Sequence, residues 1–172
     1  MPEEYIPQEI LRGKIIATKS LVKKQIRGIM EIEGEVEKLL EDTNIEEITV
    51  EKAKVLAEKF REFQICVENA LAFIAENFDG GIPVAANVHE KLLDQMTKSI
   101  ENSRPPVFDN SLAQILKEYI DLRLVLEKDC ESFDDCERVK KLLGSYKEVS
   151  QKAREQLTNF FDELEKFHGF KK

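Results

Sequence analysis

The sequence predicts an all-α protein, an up-and-down bundle of about four long helices plus one short helix. The 172-residue chain contains only 7 glycines and 5 prolines, the residues that most often interrupt helices. Apolar residues recur every three or four positions along most of its length, which places them on one face of a helix. Charged residues make up 35% of the chain, as expected for helices with solvated outer faces. The length suits a single domain over residues 1–172.

Residues 8–43 are predicted to form a long first helix whose charge is split between its two halves. The first half carries the cations Arg12, Lys14, Lys19, Lys23, Lys24 and Arg27, and the second half carries the acids Glu31, Glu33, Glu35, Glu37, Glu41 and Asp42. One interpretation is a solvated helix whose ends pair with a neighbour or with a dimer mate. The other is a basic half that lines an RNA groove. Charge runs on helices usually face solvent, which favours the first interpretation.

The second helix is predicted to start after Thr49, whose hydroxyl can cap it, and to end near Asn77. Asp79-Gly80-Gly81 follows, and glycine permits the left-handed backbone that terminates helices. Between these ends the apolar positions alternate steps of three and four residues, the spacing of a bundle seam: Ala53, Leu56, Phe60, Phe63, Val67, Ala70 and Ile74.

A third helix is predicted to begin at Asn87, with Glu90 in the capping-box position. Leu92, Leu93, Met96 and Ile100 form its apolar face, and the helix should stop before Arg104 because Pro105-Pro106 cannot continue it.

Two further helices complete the predicted bundle. Residues 109–111 all suit an N-cap, so the fourth helix should start there and reach about Lys128. Asp134 is the candidate cap of the last helix, which runs to about Phe167.

Composition narrows the class of protein. A net charge of −8 argues against a broad cationic surface for nucleic acid, although it allows a small basic pocket. No apolar run is long enough to span a membrane, and the N-terminus does not resemble a signal peptide, so we expect a cytoplasmic protein. The three cysteines, Cys66, Cys130 and Cys136, show no zinc or disulfide spacing. His168 follows Glu165 at the spacing of di-iron bundles, but such sites need two such pairs, so no metal or other cofactor is expected.

Several segments then carry a resemblance to a known family. The run VHEKLLDQM is followed by SRPPVFDNSLAQIL and by an ExxxLR segment, with FREFQICVENALAFIAENFDGGIP upstream and FDDCERVKKLL downstream. This order resembles the HepT-like branch of the HEPN superfamily, in which W-H-x-x-L-L-x-Q-M precedes R-P-P-V and a helix carrying R-x(4)-H-x-Y. The resemblance covers most of residues 50–165.

The resemblance implies a HEPN-like helical fold and a homodimer. In that family the conserved Arg and His of two subunits meet at the dimer interface and cut RNA without a metal ion, and the Tyr can receive nucleotide from a partner nucleotidyltransferase antitoxin. Here Arg123 aligns with the family Arg, but Lys128 replaces the His and Cys130 replaces the Tyr. A lysine ordinarily stays protonated at neutral pH, so Lys128 can hold phosphate or act as an acid but is a poor base.

Arg123, Lys128 and His89 are therefore the candidate catalytic residues, and Glu118 and Arg104 are the candidate binding residues. His89 matches the family His that follows the Trp, and it also suits a capping or packing role. Glu118 would orient Arg123, or the two would form an ordinary salt bridge. Two functions stay open: an RNA-binding toxin-like protein with variant or weak nuclease activity, and a catalytically inactive module that partners a nucleotidyltransferase or another protein.

Glu68 falls at an acidic position of the family pattern on the second helix. For this residue the simpler interpretation is an exposed surface glutamate.

Overall fold

The computed structural model describes residues 6–126 and 133–172, and for residues 123–126 and 133–135 it describes the backbone. Within these ranges the chain forms five α-helices and no β-strand, which confirms the predicted all-α class. A short 3-10 helix, Ile45–Glu47, joins the first two. The helices are α1 (Gln8–Leu40), α2 (Val50–Phe78), α3 (Val88–Met96), α4 (Asn110–Leu126) and α5 (Phe133–Phe167).

Helix α2 lies at the centre of the bundle and packs against all four other helices. Helix α1 contacts α2 and α5, while α4 contacts α2, α3 and α5. Helices α1 and α5 run antiparallel, because Lys19 pairs with Glu165 at 3.2 Å and Glu33, further along α1, pairs with Arg154 at 2.9 Å. No helix in the described ranges combines the length and the apolar character that crossing a bilayer would require.

Four aromatic side chains mark the middle of the core. Phe60 and Phe63 of α2 lie against Tyr119 of α4 and Tyr146 of α5, with ring centroids 5.1–5.6 Å apart. All four are almost completely buried, as the apolar spacing of the second helix predicted for Phe60 and Phe63. Burial raises the pKa of both tyrosine hydroxyls, because a phenolate is poorly solvated in this surrounding. These rings fix the positions of α4 and α5 relative to α2.

Several predicted helix ends are confirmed. The Thr49 hydroxyl accepts a hydrogen bond from the Lys52 N–H, and α2 ends at Phe78, one residue beyond the prediction. Gly80 follows with a φ of 78°, the left-handed conformation that only glycine adopts without strain. At the start of α4, an Asp109 carboxylate oxygen lies 2.7 Å from the Leu112 nitrogen as a cap. Helix α1 ends at Leu40, slightly earlier than expected.

Two predicted details are wrong. Asn87 precedes α3, but its side chain makes no capping hydrogen bond. Helix α3 ends at Met96 and does not continue to the residue before Arg104. Asp134, the predicted cap of the last helix, has its side chain outside the described part of the chain.

The early end of α3 has a physical cause in the segment that follows it. The Met96 carbonyl accepts hydrogen bonds from the Val107 and Phe108 N–H groups, so it is not available to continue the helix. Ile100 instead pairs with Arg104 through two backbone hydrogen bonds, which closes a tight turn. The chain therefore folds back on the end of α3 before α4 begins.

Candidate functional site

A histidine–carboxylate pair joins the start of α3 to the middle of α2. The Nδ1 atom of His89 lies 2.8 Å from Oε1 of Glu68. The His89 side chain is 40% exposed, whereas that of Glu68 is 17% exposed. The interpretation of Glu68 as an exposed surface glutamate is therefore wrong: its carboxylate is largely covered and holds an imidazole.

Gln64 extends this pair into the core. It lies one turn before Glu68 on α2, is almost fully buried, and its Nε2 donates to Glu68 Oε1 at 2.8 Å. The Oε1 atom of Gln64 has no hydrogen-bond partner among the described residues. Gln64, Glu68 and His89 thus form a row of polar groups that leads from the core to the surface, which we call the imidazole row.

The imidazole row determines what His89 can do. Because a carboxylate accepts at Nδ1, that nitrogen carries the proton and the neutral ring presents the lone pair of Nε2. No described residue hydrogen-bonds to Nε2, and the side chain is partly open to solvent. An imidazole that a carboxylate orients through one nitrogen, with the other nitrogen open to solvent, can act as a general base.

Arg104 occupies a very different environment at the end of α2. Its guanidinium is fully buried and pairs with Asp79, with Nε 2.5 Å from Oδ1 and Nη2 2.7 Å from Oδ2. The remaining N–H groups donate to the carbonyl oxygens of Gln95, Lys98 and Pro105. All five donors are therefore occupied by protein acceptors. The prediction that Arg104 binds a ligand gives way to a structural role, because it has neither exposure nor a free donor.

Neighbouring side chains complete this corner of the fold. Gln95 donates to Asp79 at 2.5 Å, and the Ser103 hydroxyl donates to the Phe78 carbonyl. Directly after α5, the His168 Nε2 lies 2.7 Å from the Ser103 carbonyl oxygen. His168 thus belongs to this packing, and the described residues contain no group of His, Cys, Asp and Glu arranged to hold a metal ion.

The remaining predicted residues lie on α4 and beyond it. Glu118 is half exposed, and its Oε1 lies 3.7 Å from Lys141 Nζ on α5. Arg123 lies on α4, one turn before its last described residue, but its side chain is outside the described part of the chain. Lys128 and Cys130 also lie outside the described residues. The contact between Glu118 and Arg123, and the roles of Arg123 and Lys128, stay predictions.

Two features of the site were missed by sequence reasoning. Asp79 was interpreted only as part of a helix stop, and the pairing of Glu68 with His89 was not anticipated. Each pair joins residues more than twenty positions apart, which helical periodicity cannot reveal. The available signal was the family pattern, since Glu68, His89 and Arg104 all lie in the segments that carry the resemblance.

Comparison with known proteins agrees with that resemblance. Residues 55–164 match a protein-family model described as HepT-like protein. The match runs from the first turns of α2 to the last turns of α5, so it contains the imidazole row and the Arg104 corner and leaves out α1. No curated protein and no solved structure matched the chain.

Proposed function

Because the chain belongs to the HepT-like family, we propose that it is a toxin-family protein of a toxin–antitoxin type system that binds RNA or nucleotide in the cytoplasm. Binding takes place at a cleft between two subunits, and Arg123 and Lys128 contact phosphate there. The observation that carries the proposal is the imidazole row. It offers an oriented and accessible nitrogen in a chain where Lys128 replaces the His of the R-x(4)-H-x-Y motif. His89 is the residue that could supply its chemistry.

The proposed reaction is metal-independent cleavage of the RNA backbone. His89 Nε2 takes the proton of a ribose 2′-hydroxyl, and the 2′-oxygen attacks the adjacent phosphorus. The bond from phosphorus to the 5′-oxygen breaks, and that oxygen takes a proton from the Lys128 ammonium. The products are a 2′,3′-cyclic phosphate and a 5′-hydroxyl, and exchange with water restores both side chains. Arg123 stabilises the charge on the phosphate oxygens.

Cleavage of labelled tRNA and mRNA by the purified protein, with EDTA present throughout, tests this function. Arg123→Ala, His89→Gln and Glu68→Gln should each reduce cleavage, because they remove the phosphate contact, the base and the carboxylate that orients it. Arg61→Ala is the matched control, since Arg61 is an exposed arginine of α2 that pairs only with Glu58 among the described residues. Equal cleavage by the parent, His89→Gln and Glu68→Gln would contradict the role of the imidazole row.

A second function is favoured by the replacement of the family His and Tyr by Lys128 and Cys130. In this alternative the chain is a catalytically inactive interaction module that keeps the bundle and a surface for a nucleotidyltransferase or another protein. Lys128→His separates the two functions. An inert parent whose Lys128→His variant cleaves RNA would be a silenced nuclease. An active parent would support the first function, and inertness of both folded proteins would leave binding as the activity to test.

A further inference from the structure

The outer face of α1 carries an ordered row of charges. Lys23, Arg27, Glu31 and Glu35 follow one another at intervals of four residues, so they lie side by side along the helix, about 6 Å apart. All four residues are exposed. The row reads as two cations followed by two acids, and we call it the charge row.

Most of the charge row has no ion-pair partner among the described residues. Lys23, Arg27 and Glu31 make no ion pair with any described residue, and Glu35 pairs with Lys59 of α2 at 2.6 Å while remaining 51% exposed. The flanks of α1 differ, because Lys19 and Glu33 pair with Glu165 and Arg154 of α5. Helices α2 and α5 thus cover two sides of α1. Lys23, Arg27 and Glu31 lie on the side that neither covers, and Glu35 lies at its α2 edge.

The order of the charges is self-complementary. If a second α1 crosses the first in the antiparallel direction, with the two-fold axis at the level of Ile29, Arg27 of each copy faces Glu31 of the other. Lys23 then faces Glu35 of the second copy, so each contact occurs twice, as in any two-fold symmetric interface. Met30, with 52% of its surface exposed, lies to the α5 side of the row and flanks the charged contact. Open space around Gly34 allows the helices to approach.

We propose that the charge row is an interaction surface for a second copy of this chain, bound through antiparallel crossing of the two α1 helices. RNA fits the row less well, because a polyanion would be attracted to Lys23 and Arg27 but repelled by Glu31 and Glu35. The surface lies outside the residues that match the HepT-like family and uses neither α3 nor α4. It therefore does not depend on the proposed function and is distinct from the cleft proposed above.

Charge reversal at the central contact tests the interface. Arg27→Glu places two acids opposite each other, and Glu31→Arg places two cations opposite each other. Each variant alone should weaken self-association in low salt by about tenfold or more. The double variant Arg27→Glu/Glu31→Arg should recover the parent association to within about threefold, because its contacts are attractive again. An equimolar mixture of the two single variants should form heterodimers for the same reason.

Sedimentation velocity over a concentration series, in 20 mM and 300 mM salt, measures these associations, and circular dichroism shows that each variant is folded. The parent should dissociate as salt increases, because the contacting charges are exposed and screened. Association that persists unchanged in both single variants belongs to another surface. A parent that is monomeric in low salt, or a double variant as weak as the single ones, would overturn the proposal.

Disulfide trapping locates the axis independently. An equimolar mixture of Arg27→Cys and Glu31→Cys should form a mixed intermolecular disulfide under mild oxidation, because residue 27 of one copy faces residue 31 of the other. Ile16→Cys in place of Glu31→Cys is the matched control: residue 16 is also exposed on α1, but at 1.5 Å per residue it lies about 20 Å from the axis. The parent, with its own three cysteines, gives the background. Trapping of residue 27 by residue 16 and not by residue 31 would rule out this crossing.

Filter binding of labelled tRNA tests the alternative occupant. If RNA occupies the charge row, Arg27→Glu should weaken retention and Glu31→Arg should strengthen it, while self-association stays unchanged. That combination would assign the surface to RNA and overturn our proposal. Equal retention by both variants, together with the reciprocal pattern of self-association, would support the second copy.

Discussion

The Asp79–Arg104 pair and the Glu68–His89 pair have similar composition but differ in burial and in how many of their polar atoms are hydrogen-bonded. Each joins a carboxylate in α2 or directly after it to a basic side chain from a later segment. Arg104 is fully buried and its five donors are all occupied. His89 is partly exposed, and the described residues contact only one of its ring nitrogens. A polar group whose bonds are all satisfied by protein stabilises the fold, and one with a free atom facing solvent can act on a ligand.

The largest expected effect on stability comes from breaking the buried pair of Asp79 and Arg104. Arg104→Ala leaves the Asp79 carboxylate buried without its cation and three carbonyl oxygens without their donors, so we expect a loss of about 3–5 kcal/mol in the free energy of unfolding. Urea denaturation followed by circular dichroism measures it.

The double variant Asp79→Asn/Arg104→Met is the companion to this experiment. It removes both charges, so it should cost less than the sum of the two single changes, since the residues act as one unit. A loss below about 1 kcal/mol for Arg104→Ala would contradict the structural role assigned to this arginine.

An intermediate effect on stability is expected from the buried, uncharged hydroxyl groups of Tyr119 and Tyr146. Burial raises the pKa of Tyr119 and Tyr146 above the ordinary tyrosine value. In the unfolded chain both hydroxyls ionise near pH 10, whereas in the fold they stay protonated. The unfolded state therefore loses protons first, and the free energy of unfolding should fall as the pH rises above about 10.

Tyr146→Phe is the variant that tests this pH dependence. The Tyr146 hydroxyl is buried without a hydrogen-bond partner among the described residues, so its removal should change the free energy of unfolding at pH 7 by less than about 1 kcal/mol. It should also make the alkaline loss less steep. Urea titrations at pH 7, 9 and 10.5 measure both effects, and an unchanged alkaline slope would count against them.

The smallest effect on stability is expected at the imidazole row. His89→Gln and Glu68→Gln change a partly exposed pair, so each should shift the free energy of unfolding by about 0.5 kcal/mol or less. The same variants should reduce RNA cleavage, as proposed above. The opposite result, a large loss of stability with unchanged activity, would place His89 in the same class as Arg104.

The sequence was most informative where a structural signal is local. Thr49 was predicted to cap α2, and Asp109 was one of three candidate caps for α4. Both accept the expected hydrogen bond, because capping involves residues only three positions apart. The seam residues Phe60 and Phe63 are buried as their spacing predicted. Helical periodicity is a local property, so the all-α class followed from it directly.

Prediction failed where distant residues compete for the same groups. Helix α3 ends at Met96 because the Val107 and Phe108 N–H groups donate to the Met96 carbonyl oxygen. The sequence of α3 does not indicate those donors. Arg104 was expected to bind a ligand, since a sequence does not show that Asp79 and three carbonyl oxygens surround it. Glu68 and His89 were each noted by resemblance, but their contact depends on how α3 lies against α2.

The pairing of α1 with α5 also has a consequence for the order in which the protein forms. Helix α2 follows α1 after a short turn, so a nascent chain can cover one flank of α1 soon after it leaves the ribosome. The other flank, where Lys19 and Glu33 meet Glu165 and Arg154, is covered only when the last helix has been made. Because contacts so distant in the chain form late, we expect the bundle to close only after synthesis is almost complete.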